Sequence, residues 1–455
     1  MCRKKWCLVI LLSGLLLNCS DDPENPAQEV EEEVITEVAL PQFRINTNGN
    51  TIVDEPKVDA QLTIIEDGNE AFNGRIGIEI RGSSSQFFPK KSYGFETWDE
   101  NNEDIDVALF GYPEEEDWIL YAPYSDKSLV RNHLIYDLSR DMGRYASRTK
   151  FVDVFINGEY NGIYVFMEKL KRDDNRIDIN KLKDDEIAGE DLTGGYIVKL
   201  DKADGVDESL YTDNNSFMSA FDPPNAGNQQ QIHFLYDDPD WDEITPEQRT
   251  YIASYMNDFE SALKSDDFTD PDLGYRNYID TASFIDFFLL NELSNNVDGY
   301  RLSTWIVKDK NEKLQMGPIW DFNLAFGNAD YCSGGETNVW AYRFNERCPL
   351  DTWVVPFWWE RLLEDPAFVV ALQLRWAELR AGTFAEQSIN DTIDAYVSGI
   401  QSNQSLQNNF EKWPVLGTYV WPNNFVGQTH NEEVSYLKEW IRDRLTWLDT
   451  EISGL

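Results

Sequence analysis

The chain has 455 residues, 82 of them acidic and 39 basic, for a formal charge of −43. So acidic a balance excludes a general nucleic-acid binder, which needs clustered Lys and Arg against phosphate, and argues against docking on anionic lipid through basic patches. Hydrophobic residues at 42% supply a substantial core, while three scattered histidines (His133, His233, His430) leave little room for a His-rich zinc site or a Ser–His–Asp triad.

Arg3, Lys4 and Lys5 precede a short apolar run, Leu8 to Leu17, that is too short to span a bilayer; residues 1–18 read as a secretory signal. The run ends Leu16-Leu17-Asn18-Cys19, which resembles a bacterial lipobox, so cleavage before Cys19 would leave a cysteine able to carry lipid. An ordinary signal peptide with a chance cysteine is the alternative. Ser20-Asp21-Asp22-Pro23-Glu24 resembles the acidic export tag of bacterial surface lipoproteins. The expected location is therefore the outer membrane, lipid-anchored and exposed at the cell surface. Residues 19–40, rich in Pro, Asp and Glu, read as a flexible, self-repelling tether. With Cys2, Cys7 and Cys19 accounted for, Cys332 and Cys348 remain; in an oxidising compartment they are expected to form a disulfide, with two free thiols as the alternative.

Residues 41–243 are predicted to be β-rich. Gln61–Ile65, Arg75–Ile80, Phe151–Ile156, Tyr160–Phe166 and Gly195–Leu200 alternate or are β-branched, and Asn157-Gly158 between two apolar runs signals a hairpin. One helix is expected around Ser128 to Met142, and Asp/Asn/Gly/Gln-rich residues 201–230 read as a long loop. Residues 244–455 are predicted to be helical: Thr245-Pro246, Asp280 and Asp365-Pro366 are helix starts, and a further helix runs from about Glu432 to Leu448. The fold class expected is α+β, with sheets first and helices second.

Candidate chemistry lies at several points. Arg81-Gly82-Ser83-Ser84-Ser85 is a Gly/Ser turn after a strand, followed by Lys90 and Lys91; a strand lysine beside such a turn can hold phosphate, or can simply be a solvated edge lysine. Arg131 opens the predicted helix, and Glu168 ends a strand before the basic cluster Lys169, Lys171, Arg172 and Arg176, which suits either a salt-bridge network or a nucleotide rim. Asn296-Val297-Asp298-Gly299 is a turn past an apolar helix, and Gly317-Pro318-Ile319-Trp320-Asp321-Phe322-Asn323 follows a short hairpin. A hairpin brings its ends together, so Asp298 and Asp321 can face one cleft, although helix termination alone also explains Asp298.

Together these segments resemble the CotH family of spore-coat-type atypical protein kinases. The matching stretches run from Arg81-Gly82-Ser83-Ser84 through Pro89-Lys90-Lys91-Ser92-Tyr93, Asp117-Trp118-Ile119-Leu120, Ser125 to Asn132, Asn157 to Tyr164 with Glu168, and Gly194-Gly195-Tyr196, to Asn296-Val297-Asp298 and Gly317 to Phe322. They stand in the family's order over roughly residues 70 to 390. The resemblance implies a kinase-like two-lobed fold and transfer of the ATP γ-phosphoryl group to protein Ser or Thr. It implies Asp298 as the catalytic aspartate, Asp321 as the holder of Mg²⁺ or Mn²⁺, Lys90 or Lys91 as the phosphate-contacting lysine, and Arg131 and Glu168 as supporting cleft residues. Kinase catalytic loops place a metal-binding Asn five residues past the catalytic Asp; here that position is Ser303, and Asn323 is the candidate to compensate.

A second function class stays open, a non-catalytic surface module for adhesion or glycan binding. Trp353, Trp358, Trp359, Trp413 and Trp421 are its candidate contacts. Ca²⁺ is a further expectation from the acidity, with Asp201, Asp204, Asp207 and Asp213 as a loose cluster that equally reads as a solvated loop.

Overall fold

The computed structural model describes residues 39–203, 210–227 and 230–455. The secretory segment, Cys19, nearly all of the tether, and Asp204 and Asp207 lie outside the described residues.

Seven strands make the first sheet: β1 (Gln42–Asn46), β2 (Val58–Glu66), β3 (Asn69–Arg81), β4 (Ser92–Trp98), β5 (Asp117–Tyr121), β6 (Thr149–Ile156) and β7 (Glu159–Glu168). They run in the order β1-β2-β3-β4-β5-β7-β6, and β1 pairs parallel with β6 to close a barrel. Closure removes the exposed edges that an open sheet would present. The two-residue period explains the core: Ile76 and Ile78 of β3 point inward with Phe43, Leu62, Phe95 and Phe166, which leaves Gly77, Glu79 and Arg81 on the outer face. The hairpin expected at Asn157-Gly158 joins β6 to β7, with both residues at positive φ (51° and 84°), the turn whose twist suits two right-twisted strands. Between β5 and β6 lies the expected helix, α1 (Arg131–Asp141).

A second sheet contains β8 (Tyr196–Leu200), β9 (Ser216–Met218), β10 (His233–Asp238), β11 (Thr304–Lys308) and β12 (Leu314–Met316), in the order β12-β11-β8-β10-β9, all antiparallel. It draws strands from both sides of residue 243. The stretch read as a loop, 201–230, thus carries one short strand, β9, which pairs His233 with Met218.

The helices that follow are α2 (Pro246–Lys264), α3 (Thr281–Ser294), α4 (Phe344–Arg347), α5 (Trp358–Leu363), α6 (Pro366–Arg380), α7 (Glu386–Gln401), α8 (Ser405–Lys412) and α9 (His430–Ser453). Thr245 and Gln248 close a reciprocal capping box at α2, and the Asp280 and Asp365 side chains accept from Ala282 N–H and Ala367 N–H at α3 and α6. α4 and α5, of four and six residues, have no counterpart among the expected helices, and nor have the longer α7 and α8. Neither has a side-chain cap, and α7 buries only Ile389, Ile393 and Ile400, so its apolar stripe is thin. From Ser283 to its end, every residue of α3 is buried, and it is the centre of the larger core.

The molecule is mixed α and β, sheet-rich toward the N-terminus and helical toward the C-terminus, and residues 38–455 form one compact unit. Among the described residues no helix is long and apolar enough to cross a membrane. Cys332 and Cys348 form a disulfide.

Candidate functional site

Two chain reversals deliver the two aspartates. α3 ends at Asn295 in the left-handed conformation (φ 43°), and the Asn295 amide donates to Ser333 O and Glu336 O, both at 3.0 Å. Just before this cap, the buried Glu292 carboxylate accepts from Ala341 N–H (2.8 Å), Tyr342 N–H (2.9 Å) and Tyr300 Oη (3.0 Å) and pairs with Arg444 at 3.1 Å. A buried ion pair with every lone pair used this way holds one geometry. Asp298 follows in the turn, and its carboxylate pairs with Arg301 at 2.9 Å. Arg301 in turn reaches Asp351 at 3.2 Å and Val297 O at 2.8 Å.

The β11–β12 hairpin then returns the chain to Asp321. Asp321 has a positive φ of 59°, a costly conformation for a residue with a side chain. α1 holds it there: Asp321 N–H donates to Tyr136 Oη at 3.1 Å, and Phe322 N–H donates to Asn132 Oδ1 at 2.7 Å. Asn132 and Tyr136 are one helical turn apart, so one face of α1 grips two successive peptides.

Both aspartates line a single cleft of about 620 Å³, together with Asn323, Ser303, Asp201, Asp237 and Asp351. Its cations are Arg81, Lys169, Lys199, Lys202 and Arg301, and the Gly82–Ser85 turn forms part of its wall. Gly82 sits at φ +100°, and a Cβ there would fall 2.1 Å from Ser85 Oγ, so the tight turn requires glycine. The acids interact. The Asp321 carboxyl is pushed up to about 7, first by burial and then by the charges of Asp298 and Asp201, against Arg81 and Lys202. Burial also pushes Asp201 up, opposed by Lys199 and by the N–H groups of Lys202 and Ser303. The Tyr331 hydroxyl is driven up by its own burial and by Asp298. Three carboxylates thus share a partly dry space, which suits an added divalent cation.

The structure brings Asp298, Asp321 and Asn323 together and places the other expected nucleotide contacts elsewhere. Lys90 is buried between the barrel and α8, donating to Ile163 O at 2.6 Å and Asn409 Oδ1 at 3.0 Å; burial lowers its ammonium to about 7. Lys91 donates to Gln86 O, outside the cleft. Arg131 pairs with Asp126 at 2.5 Å and braces the turn that leads into α1, so its partner is a carboxylate within the chain. Glu168 accepts from Arg148 at 2.6 Å and from Arg148 N–H at 2.8 Å, a barrel-edge bond. The basic cluster is a salt-bridge network: Lys169 and Lys171 meet Asp117 at 3.0 Å each, Arg172 meets Asp238 at 3.1 Å, and Arg176 lies 3.8 Å from Glu115. Of these only Lys169 lines the cleft.

Sequence reasoning gave Lys199 and Lys202 no role, named Arg81 only as the start of the Gly/Ser turn, and put Asp201 in a loose Ca²⁺ cluster rather than in this cleft. The period of β8 held the signal: Tyr196, Val198 and Leu200 enter the larger core, so Lys199 and Asp201 fall on the opposite face, toward the cleft. Trp358 and Trp359 are core residues, and Trp413 donates to Asn161 O at 2.8 Å where α8 meets β7. Trp353 and Trp421 line the cleft, Trp421 54% exposed and stacked on Tyr331. No histidine lines it.

Among curated proteins the chain has no match. A distant structural likeness is the crystal structure of the Helicobacter pylori proinflammatory kinase CtkA, 10% identical, covering 77% of this chain and 94% of that one at a TM-score of 0.31. A likeness that remote carries no argument about site or activity. The family model described as CotH kinase protein matches residues 78–448, beyond the expected end near residue 390 and through most of α9. With that match over most of its length, the chain belongs to the CotH kinase protein family.

Proposed function

We propose that this chain is an ATP-dependent phosphotransferase that moves the γ-phosphoryl group onto a Ser or Thr hydroxyl of a protein. Its barrel-bearing half and its helical half act as the two lobes of a kinase-like fold. The observation that carries the reading is the convergence of Asp298 and Asp321, from two separate reversals, in one cleft that also holds cations.

Asp298 accepts the hydrogen bond of the incoming hydroxyl and takes its proton as the new O–P bond forms and the bond to the ADP oxygen breaks. Its pairing with Arg301 orients the carboxylate for that contact. The donor set fits a hard divalent cation: Asp321 is short of compensating charge, and the Asn323 side chain makes no hydrogen bond among the described residues. Asp321 and Asn323 would hold Mg²⁺ or Mn²⁺, and the same oxygens admit Ca²⁺. When bound, such an ion supplies positive charge to the phosphate oxygens. Ser303 lines the cleft where a second metal-binding Asn is expected, and Asn323 takes that part.

The acceptor is proposed to be met outside the cell, with Cys19 lipidated and the chain anchored to the outer membrane. A second reading, a surface-binding lipoprotein without catalysis, is favoured by one feature: Trp421, exposed and stacked at the cleft. The two readings part on one experiment. Purified protein with γ-labelled ATP and Mg²⁺ should label itself or a protein acceptor, and Asp298→Asn should lower the rate by at least 100-fold while nucleotide still binds. No transfer to any acceptor, with glycan binding untouched by Asp298→Asn, would support the second reading.

A further inference from the structure

The cleft's five cations are not equivalent. Lys199 pairs with Asp237 at 2.7 Å, Lys169 with Asp117 at 3.0 Å, and Arg301 with Asp298 and Asp351. Their charge is already answered within the chain. Arg81 and Lys202 have no carboxylate partner among the described residues.

Arg81 is the sharper case. It ends β3 on the barrel's outer face, half-buried in the cleft wall, and its guanidinium makes no hydrogen bond and no ion pair among the described residues. Its N–H donors are answered by no protein group among the described residues, which leaves them to water or to a ligand in the cleft. The placement is held from one side only: the guanidinium lies 5.6 Å from the Trp320 ring, and Trp320 is the residue before Asp321. A cation–π contact of this kind uses none of the N–H donors, which stay available to a planar or tetrahedral anion. Burial depresses the guanidinium below its ordinary value, with Asp321 acting the other way. Lys202 lines the same cleft and meets the Ser turn, donating to Ser84 Oγ at 3.0 Å and lying 5.3 Å from the Trp353 ring. Its contacts among the described residues are neutral groups, and its charge acts on Asp321 and Asp201 without an ion pair.

We infer that Arg81 and Lys202 form an anion clamp for the terminal phosphates of the nucleotide, seated between the Ser83–Ser85 turn and Asp321. This rests on the phosphotransfer reading and replaces Lys90 and Lys91 in the role that the resemblance gave them. A phosphoric anhydride suits the pair better than a carboxylate ligand, because two cations and an ion held at Asp321 together meet three to four negative charges. Arg81 is a binding residue whose cation–π partner Trp320 sits next to the metal-holding aspartate, so phosphate and ion are placed by one short segment.

The test uses inorganic triphosphate as probe, titrated calorimetrically into the full chain with and without Mg²⁺ at fixed ionic strength. Arg81→Gln and Lys202→Gln should each weaken binding about 10- to 100-fold. Adenosine binding and the control Lys91→Gln should be unchanged. A structural arginine and a ligand-binding arginine differ in the ligand-free protein: Arg81→Gln should leave its unfolding midpoint equal or higher, because an unanswered charge is removed. Triphosphate binding by Arg81→Gln equal to wild type, or a ligand-free midpoint lowered as by a core truncation, overturns the assignment. Should Arg81→Gln not fold, Lys202→Gln decides by its affinity alone. Transfer from ATP that persists with unchanged triphosphate affinity in both variants sinks the clamp and leaves phosphotransfer standing. Triphosphate binding that depends on both residues, without transfer to any acceptor, does the reverse.

Discussion

Replacing Asp321 by Asn should make the metal-free protein more stable while removing its proposed activity, and the size of the effect follows from the cleft. Moving a carboxyl from its ordinary value near 3.8 to about 7 costs the ionised form on the order of 4 kcal/mol. The cause is burial first and the charges of Asp298 and Asp201 second. The folded protein holds this proton more tightly than the unfolded chain does, so stability is full below about pH 4, falls as pH rises, and levels off once the folded carboxyl has ionised near 7. Asn has the same shape and never ionises. In EDTA, Asp321→Asn should come close to wild type near pH 3.5 and exceed it at pH 8, by up to about 4 kcal/mol in urea unfolding. Saturating Mg²⁺ should close the gap by stabilising wild type alone. A variant no more stable at pH 8 than at pH 3.5, relative to wild type, would refute the claim that burial and neighbouring acids outweigh the counter-charge at Asp321.

Other consequences test the frame around the site. Glu260 is buried with no cation paired to it among the described residues, bonded by Ser219 Oγ and Trp358 Nε1, and burial pushes it up to about 7. By the same sign, its contribution is lost between about pH 4.5 and 7, so Glu260→Gln should gain about 3 kcal/mol at pH 8 and nothing at pH 4; equal gains at both would contradict this. Gly162 has φ +115°, and a Cβ there would meet Asn409 Oδ1 at 2.8 Å and Trp413 Nε1 at 2.9 Å. Gly162→Ala should cost about 1–3 kcal/mol by urea unfolding, through loosening of α8 from the barrel. Removing the Cys332–Cys348 link, which closes a separation of 16 residues, by paired Ser substitution should cost about 3 kcal/mol, read as a lower melting temperature.

What could be read from the sequence was what local chemistry controls. Thr245-Pro246, Asp280 and Asp365-Pro366 are helix starts because their side chains satisfy first-turn N–H groups, and that needs no tertiary information. Asn157-Gly158 is a hairpin for an equally local reason. Asp298 and Asp321 could be joined because a short hairpin lies between them. The cation side was not legible in the same way. Lys90 and Lys91 sit in the entry to β4, where the pleat has not yet set in and which face a side chain takes depends on packing against α8, hundreds of residues away in the chain. Arg81 and Lys199 sat within strands whose period assigned their faces, but which outer face borders a cleft depends on how the barrel meets the second sheet. Asp201 looked like loop solvation because acidic residues crowd the stretch that follows it.

The central claim is that metal and nucleotide meet at Asp321. Anomalous scattering from Mn²⁺ in crystals grown with a non-hydrolysable ATP analogue tests it directly. The account predicts a peak in contact with the Asp321 carboxylate and the Asn323 amide oxygen, with the terminal phosphate facing Asp298. The chain has a rival acidic group, Asp106, Glu115 and Glu116, whose ligand oxygens lie within 4.8 Å of one another and which Lys171 already bridges. Manganese bound only there, with no ion or phosphate at Asp321, would contradict the account.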